Sequence, residues 1–282
     1  MPTVQTNGIE TYYEEYGDGT PIVFLHGAVS DHQLWAEQAQ PLTDEYTVIV
    51  YDLRGHGRTG GSDHVSYTID LYAEDLASLI EELELDRPVI CGLSMGGWIG
   101  YEFATTYPDQ LSALITLGAA TPQTFSYSER IQKQVLLRAV RPLVGRERVM
   151  EGLEWIFDRI YGEDSTVDRT EVERIRDEHH CEVPELSEKE RGKIWDAMLD
   201  YRSGSLQYHA ITAPLLVMYG EKEPFVNEHA DFLQTQVDTS RVEEIPDATH
   251  NSHVDNPEYI LDTLRDFLLT TDTASAASNK EN

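Results

Sequence analysis

The feature that most constrains this chain is the run from Pro88 to Gly97. Pro88-Val89-Ile90-Cys91 is a short, fully apolar stretch of the kind that forms a buried strand. Gly92-Leu93-Ser94-Met95-Gly96-Gly97 follows at once, and residues 97–107 carry a helical pattern. A strand that passes directly into a helix needs a very tight turn. Glycine on either side of Ser94 removes the Cβ atoms that would collide there. The turn projects Ser94 from the carboxyl end of the strand at a helix N-terminus, where the helix dipole favours developing negative charge. Ser94 is therefore the first candidate nucleophile.

The rest of the chain alternates strand and helix patterns, which predicts a mostly parallel central sheet flanked by helices, an α/β fold. Buried-strand runs occur at Ile22-Val23-Phe24-Leu25, Thr47 to Tyr51, Leu114 to Leu117 and Leu215 to Tyr219. Arg241 to Ile245 alternates like an outer strand, and Ile9 to Tyr16 reads as an antiparallel edge strand. Helical periodicity marks 69–83 and 256–269. Between about 122 and 209 the alternation stops. That stretch is charged and helical in character, and it is far longer than a loop. The expected organisation is an α/β core of residues 1–121 and 210–269, a helical cap at 122–209 and a disordered tail at 270–282.

Charge sets outer limits on function. Asp and Glu number 51 against 21 Lys and Arg, a formal net charge of -30. Nucleic acid and anionic membrane surfaces are poor partners for such a chain. No run approaches the roughly 18–20 apolar residues of a bilayer span, and Met1 to Gln5 lacks a secretory pattern, so a soluble cytoplasmic protein is expected. Cys91 and Cys181 make no disulfide framework. The only lysines are Lys133, Lys189, Lys193, Lys222 and Lys280. Acid excess with few lysines resembles proteins of salt-loving organisms.

The motifs in order resemble the α/β-hydrolase fold superfamily over about residues 8–269. The resemblance rests on His26-Gly27 after the first buried strand, Trp35, Asp52-Leu53-Arg54-Gly55-His56-Gly57 after the second, and the turn around Ser94. It continues with Gly220-Glu221-Lys222-Glu223-Pro224 and Asp247-Ala248-Thr249-His250. The order serine, acid, histidine is the one this fold imposes. The resemblance implies Ser94 as nucleophile, His250 as general base and backbone N–H groups of Ala28 and Met95 as the oxyanion hole. His253 competes with His250, but the frame to Asn256-Pro257-Glu258 favours His250 and leaves His253 at the surface or behind the site. The acid is expected at Glu223, where relatives usually carry Asp, with Glu221 and Asp247 as alternatives. His26, Asp52 and Arg54 read as braces for neighbouring loops. Arg58 stands where many relatives have Ser. Cys91 reads as a buried small apolar residue.

Haloalkane dehalogenases and epoxide hydrolases of this fold use Asp at the turn, so Ser94 points elsewhere. The implied activity is hydrolysis of a small carboxylic ester or lactone without cofactor or metal. The alternatives are carbon–carbon bond hydrolysis on the same fold, and a ligand-binding, receptor-like protein with a weakened triad. The segment Glu129 to Arg148 is locally basic (Arg130, Lys133, Arg138, Arg141, Arg146 and Arg148), and either one or two of these arginines bind a substrate carboxylate or they pair with surface acids.

Overall fold

The computed structural model describes residues 2–120, 148, 152, 184, 186–201, 206–223 and 226–278, with side chains to residue 271. An eight-stranded sheet runs through the core. Its strands are β1 (Thr3–Thr6), β2 (Ile9–Tyr16), β3 (Thr20–Leu25), β4 (Tyr46–Tyr51), β5 (Val89–Leu93), β6 (Ala113–Leu117), β7 (Leu215–Gly220) and β8 (Ser240–Ile245). The order is β1-β2-β4-β3-β5-β6-β7-β8. The first two strands pair antiparallel and β2 pairs antiparallel with β4, while every later pair is parallel. Ile9–Tyr16 is antiparallel as expected, but Thr3–Thr6 pairs beside it and takes the edge. Four residues with alternating partial burial leave little apolar signal by which to find such a strand.

The pleat sends alternate side chains to opposite faces, and β3 shows the consequence. Val23 and Leu25 join one apolar layer, with Ile49, Tyr51 and Ile90 from neighbouring strands. Ile22 and Phe24 join the other, with Val48, Val50, Val89 and Cys91. Helices α1 (Ile69–Glu82), α2 (Met95–Thr106), α3 (Glu188–Asp200) and α4 (Val226–Gln236) contribute to the first layer. Helix α5 (Pro257–Ser278) and Trp35 cover the second. In α1, Ile69, Tyr72, Ala73, Leu76, Leu79 and Ile80 are buried, a three-and-four spacing that makes one apolar stripe. The Thr68 hydroxyl caps that helix by accepting from the Leu71 N–H at 3.1 Å. Truncating a stripe residue such as Leu76 to Ala costs about 2–5 kcal/mol.

Helix α5 continues to Ser278, past residue 269, where a disordered tail was expected. The added segment is short of large apolar residues but contains no Gly or Pro, and alanine favours the helix. Most of the stretch read as a cap, including Arg130, Lys133, Arg138, Arg141 and Arg146, lies outside the described residues. Within it, Arg148 is exposed and α3 packs on the core. The Lys193 ammonium donates to the Ser62 carbonyl at 2.8 Å and pairs with Glu190 at 2.9 Å. Glu190 in turn accepts from the Tyr67 hydroxyl. At the far end of α3, the Tyr201 ring stacks on Trp98 at 5.4 Å.

Candidate active site

Six loops leave the carboxyl edge of the parallel strands, following β3, β4, β5, β6, β7 and β8. This edge is where α/β sheets place their ligand sites. Ser94 occupies the turn between β5 and α2 with φ 54° and ψ -115°. A non-glycine residue there is strained, and the surroundings must hold it. The Ser94 N–H donates to the Leu117 carbonyl at 2.8 Å, and its own carbonyl accepts from the Trp98 N–H at 3.1 Å. A Cβ on Gly92 would lie 2.4 Å from the Gly96 backbone, and one on Gly96 would lie 2.4 Å from the Leu25 carbonyl. Both positions must be glycine for the turn to close. Ser94 is half-buried and Met95 fully buried.

Glu223 and His250 are brought together. Glu223 lies three residues past the end of β7, and its Oε1 accepts from His250 Nδ1 at 2.5 Å. A carboxylate can only accept, so Nδ1 carries the proton and Nε2 is left as the basic nitrogen. The pair is shielded, with side-chain exposures of 11% for His250 and 1% for Glu223. Among the described residues Glu223 Oε2 has no hydrogen-bond partner. Gly118 fixes this pair relative to the serine. It follows Leu117, the residue that accepts from Ser94, and a Cβ on it would lie 2.9 Å from His250 Nδ1 and 3.0 Å from Glu223 Oε1. The pair therefore packs directly against the strand end that anchors the Ser94 turn.

The alternative acids face elsewhere. Glu221 Oε2 accepts from the Asp247 N–H at 2.9 Å. The Asp247 side chain is 91% exposed, beside Lys222 at 3.7 Å. His253 is buried against Trp35, with ring centroids 6.1 Å apart, so the surface alternative for it is corrected. Burial, with His250 nearby, pushes its imidazole down to about 3. It stays neutral because, among the described residues, no carboxylate reaches it to repay the loss of water. Cys91 is fully buried, and burial pushes its thiol up.

On the opposite flank, Ala28 follows His26-Gly27 at the end of β3. A Cβ on Gly27 would lie 3.7 Å from the Ser94 Cβ, so this loop passes over the serine. His26 Nδ1 bonds the Gly27 carbonyl at 2.7 Å, and its Nε2 accepts from the Leu53 N–H at 3.0 Å. His56 Nδ1 bonds the Arg54 carbonyl at 3.0 Å, and its Nε2 accepts from the Val29 N–H at 3.2 Å. Asp52, fully buried, accepts from the His32 N–H and His32 Nδ1 at 2.8 Å each and from the Arg58 N–H at 2.7 Å. Burial alone would raise its carboxyl, but the hydrogen bond and charge of His32 hold it at about 2. Burial likewise opposes a charge on His32, yet Asp52 keeps that imidazole above its ordinary value. Arg54 reaches back to Asp75 at 2.5 Å and to the Asn7 carbonyl at 3.0 Å. The expected bracing roles of Asp52 and Arg54 thus have named partners. The contribution of His56 was not anticipated. A second histidine between two glycines, one strand after His26-Gly27, is the signal that could have found it.

An α/β sheet with this strand order, carrying a serine on a strained strand-to-helix turn, defines a hydrolase of the α/β class. The Alpha/beta hydrolase family matches residues 22–263, and the chain belongs to it. It is similar to 3-oxoadipate enol-lactonase 1 of Acinetobacter baylyi, 25% identical over 273 residues, which span 94% of this chain and 92% of that protein. Epoxide hydrolase 4 of Mus musculus is 24% identical over 281 residues, spanning 94% of this chain and 78% of the relative. Among solved structures, a thermophilic esterase from Thermogutta terrifontis superposes with a TM-score of 0.71 at 26% identity. That match covers 96% of this chain and 98% of the esterase. Among the described residues no group of side chains is arranged to hold a metal ion, and no helix is long and apolar enough to cross a membrane.

Proposed function

We propose that the protein is a serine hydrolase that cleaves a small carboxylic ester or lactone through an acyl-enzyme on Ser94. The observation that carries this reading is the 2.5 Å contact between His250 Nδ1 and Glu223, wedged by Gly118 against the strand end that anchors Ser94. With Nδ1 held by Glu223, His250 Nε2 takes the proton from the Ser94 hydroxyl as the oxygen attacks the substrate carbonyl. The carbonyl oxygen becomes an oxyanion, which the Ala28 and Met95 N–H groups receive. His250 then protonates the leaving alkoxide. Water, deprotonated by the same nitrogen, releases the acid and restores Ser94.

Two considerations support an acyl substrate over an epoxide, despite the epoxide hydrolase relative. The residue on the turn is a hydroxyl, whereas the epoxide hydrolases of this fold use a carboxylate there. The enol-lactonase and esterase relatives carry names for acyl hydrolysis. The segment 122–209 is proposed to cap the site, with α3 seated on the core through Lys193, Tyr67 and Tyr201. The acid excess is proposed to suit a salt-rich solvent. Turnover of p-nitrophenyl acetate and labelling by a fluorophosphonate test the reading. Both are expected for the wild type and neither for Ser94→Ala; unchanged turnover by Ser94→Ala would defeat it.

A further inference from the structure

We propose that His56 is a positioning residue for the oxyanion hole: it pins the peptide that follows Ala28 and so fixes the direction of the Ala28 N–H. This rests on the reading of Ala28 as an oxyanion donor.

The argument begins with the planar trans peptide, in which the C=O and N–H of one unit point in opposite directions. The Ala28 N–H shares its peptide with the Gly27 carbonyl. His26 Nδ1 bonds that carbonyl at 2.7 Å, so the Ala28 N–H is turned away from His26. One pinned peptide still leaves the loop free to pivot at Ala28. The next peptide is pinned by the Val29 N–H donating to His56 Nε2 at 3.2 Å. Ala28 therefore sits between two peptides, each held by a different buried imidazole. The two rings pack edge to face with centroids 4.9 Å apart, so neither can turn without the other.

The loop needs the second pin. Val29 has φ 53°, a left-handed conformation that a β-branched residue avoids. That conformation costs about 1–2 kcal/mol, and Val29 is 42% exposed, so packing does little to enforce it. The bond to His56 is a polar contact that holds it there.

His56 also needs one particular proton arrangement. The Arg54 carbonyl and the Val29 N–H lie at its two nitrogens, 3.0 and 3.2 Å away. A carbonyl only accepts and an amide only donates, so Nδ1 must be protonated and Nε2 bare. Burial, with His26 alongside, pushes the ring down to about 3 and keeps it neutral.

The test is a pair of substitutions assayed with p-nitrophenyl acetate. His56→Leu keeps similar bulk and accepts nothing. Removing an oxyanion donor outright lowers turnover about 10²–10³-fold, so releasing its support is expected to lower kcat roughly 10–100-fold. KM should stay within about threefold, because the donor acts mainly on charge that develops in the transition state. Inhibition by trifluoroacetone, which forms an oxyanion on the serine, should weaken by the same factor as kcat/KM. His56→Gln can place an acceptor near the Val29 N–H and should recover most of kcat. Wild-type kcat and ketone inhibition in folded His56→Leu would overturn the proposal, and so would a loss confined to KM. If Ser94→Ala is inactive in the same assay, such a result removes the role of His56 and leaves the serine mechanism standing. If His56→Leu does not fold, nitrogen-15 NMR of the wild-type imidazole at pH 7 decides. A protonated Nδ1 with a bare Nε2 is expected, and a protonated Nε2 overturns the pin.

Discussion

Two buried carboxylate–imidazole pairs stand on the same edge of the sheet, and they do different work. Asp52 and His32, 2.8 Å apart, lie after β4 and β3. Glu223 and His250, 2.5 Å apart, lie after β7 and β8. Asp52 is surrounded: two backbone N–H groups and a ring nitrogen fill its oxygens, and the other His32 nitrogen faces Glu14 at 3.6 Å. Glu223 uses one oxygen on His250, and among the described residues the other has no partner. The first pair ties two loops together. The second holds one ring and does little for its own loop, which is held mainly by backbone bonds such as Lys222 N–H to the Ala248 carbonyl at 2.9 Å. A short acid–histidine contact does not by itself mark a reactive site; its neighbours decide.

The widest separation is expected between loss of chemistry and loss of fold. Ser94→Ala should lower turnover by about 10⁴–10⁶ while the melting temperature stays within a few degrees. A broad loss of stability would mean that the serine is a structural member after all. Glu223→Gln should follow, with a loss of roughly 10⁴ in kcat, because an amide can select the wrong imidazole tautomer. Its fold should survive, since few contacts depend on that side chain. Near-normal turnover in Glu223→Gln together with a dead Asp247→Asn would reassign the acid.

Asp52→Asn should show the opposite pattern. Breaking a buried ion pair costs about 3–5 kcal/mol, which for a chain of this size lowers the melting temperature by roughly 10 °C. Calorimetry on both variants tests the contrast directly. Equal melting temperatures for Asp52→Asn and Glu223→Gln would erase it.

Acid should unfold the protein through imidazoles outside both pairs. Burial pushes His56, His229 and His253 down to about 3. Their ordinary value is about 6.5, so between those limits the unfolded chain binds protons that the folded chain refuses. Stability then falls as pH falls, by up to about 1.4 kcal/mol per pH unit for each ring. Asp52 works in a lower window: its contribution is present above the ordinary carboxylate range and disappears as pH falls through about 2. Urea titrations at pH 7, 6 and 5 should show a falling midpoint, and a flat series would mean that water reaches those rings. The smallest effect is expected from salt. Screening by molar KCl relieves repulsion among exposed acids in a chain of net charge -30. It should raise the melting temperature by several degrees and leave the Asp52→Asn deficit unchanged, because buried pairs are screened little. A melting temperature indifferent to KCl would remove the salt-adapted reading.

What could be read from residue order was the part governed by local pattern. Apolar runs marked the parallel strands β3 to β7 because both faces of each are covered, while the parallel edge strand β8 showed only alternation. The glycines around Ser94 marked its turn because no other residue closes it. Thr3–Thr6 escaped because a short edge strand has no apolar face to display. The acid was expected at Glu223, ahead of Glu221 and Asp247, from its place after the fifth buried run; residue order does not display which of these side chains turns inward, and the packing of Glu223 and His250 against Gly118 does. His56 escaped for a similar reason: its partner, Val29, lies on another loop, and a backbone N–H has no sequence signature.

The path of the chain through the sheet has a consequence in time. Ser94 stands in the turn after the fifth strand, among segments that emerge early in synthesis, yet His250, its proposed base, lies more than half the chain later, after the eighth strand. Contacts so far apart in sequence form slowly, and domains organise as the amino-terminal part appears first. The Ser94 turn can therefore be shaped well before the proposed base is made. Under the proposed mechanism, a chain interrupted before β8 would carry a formed but silent serine, and catalytic competence would arrive only with the last strand and its loop.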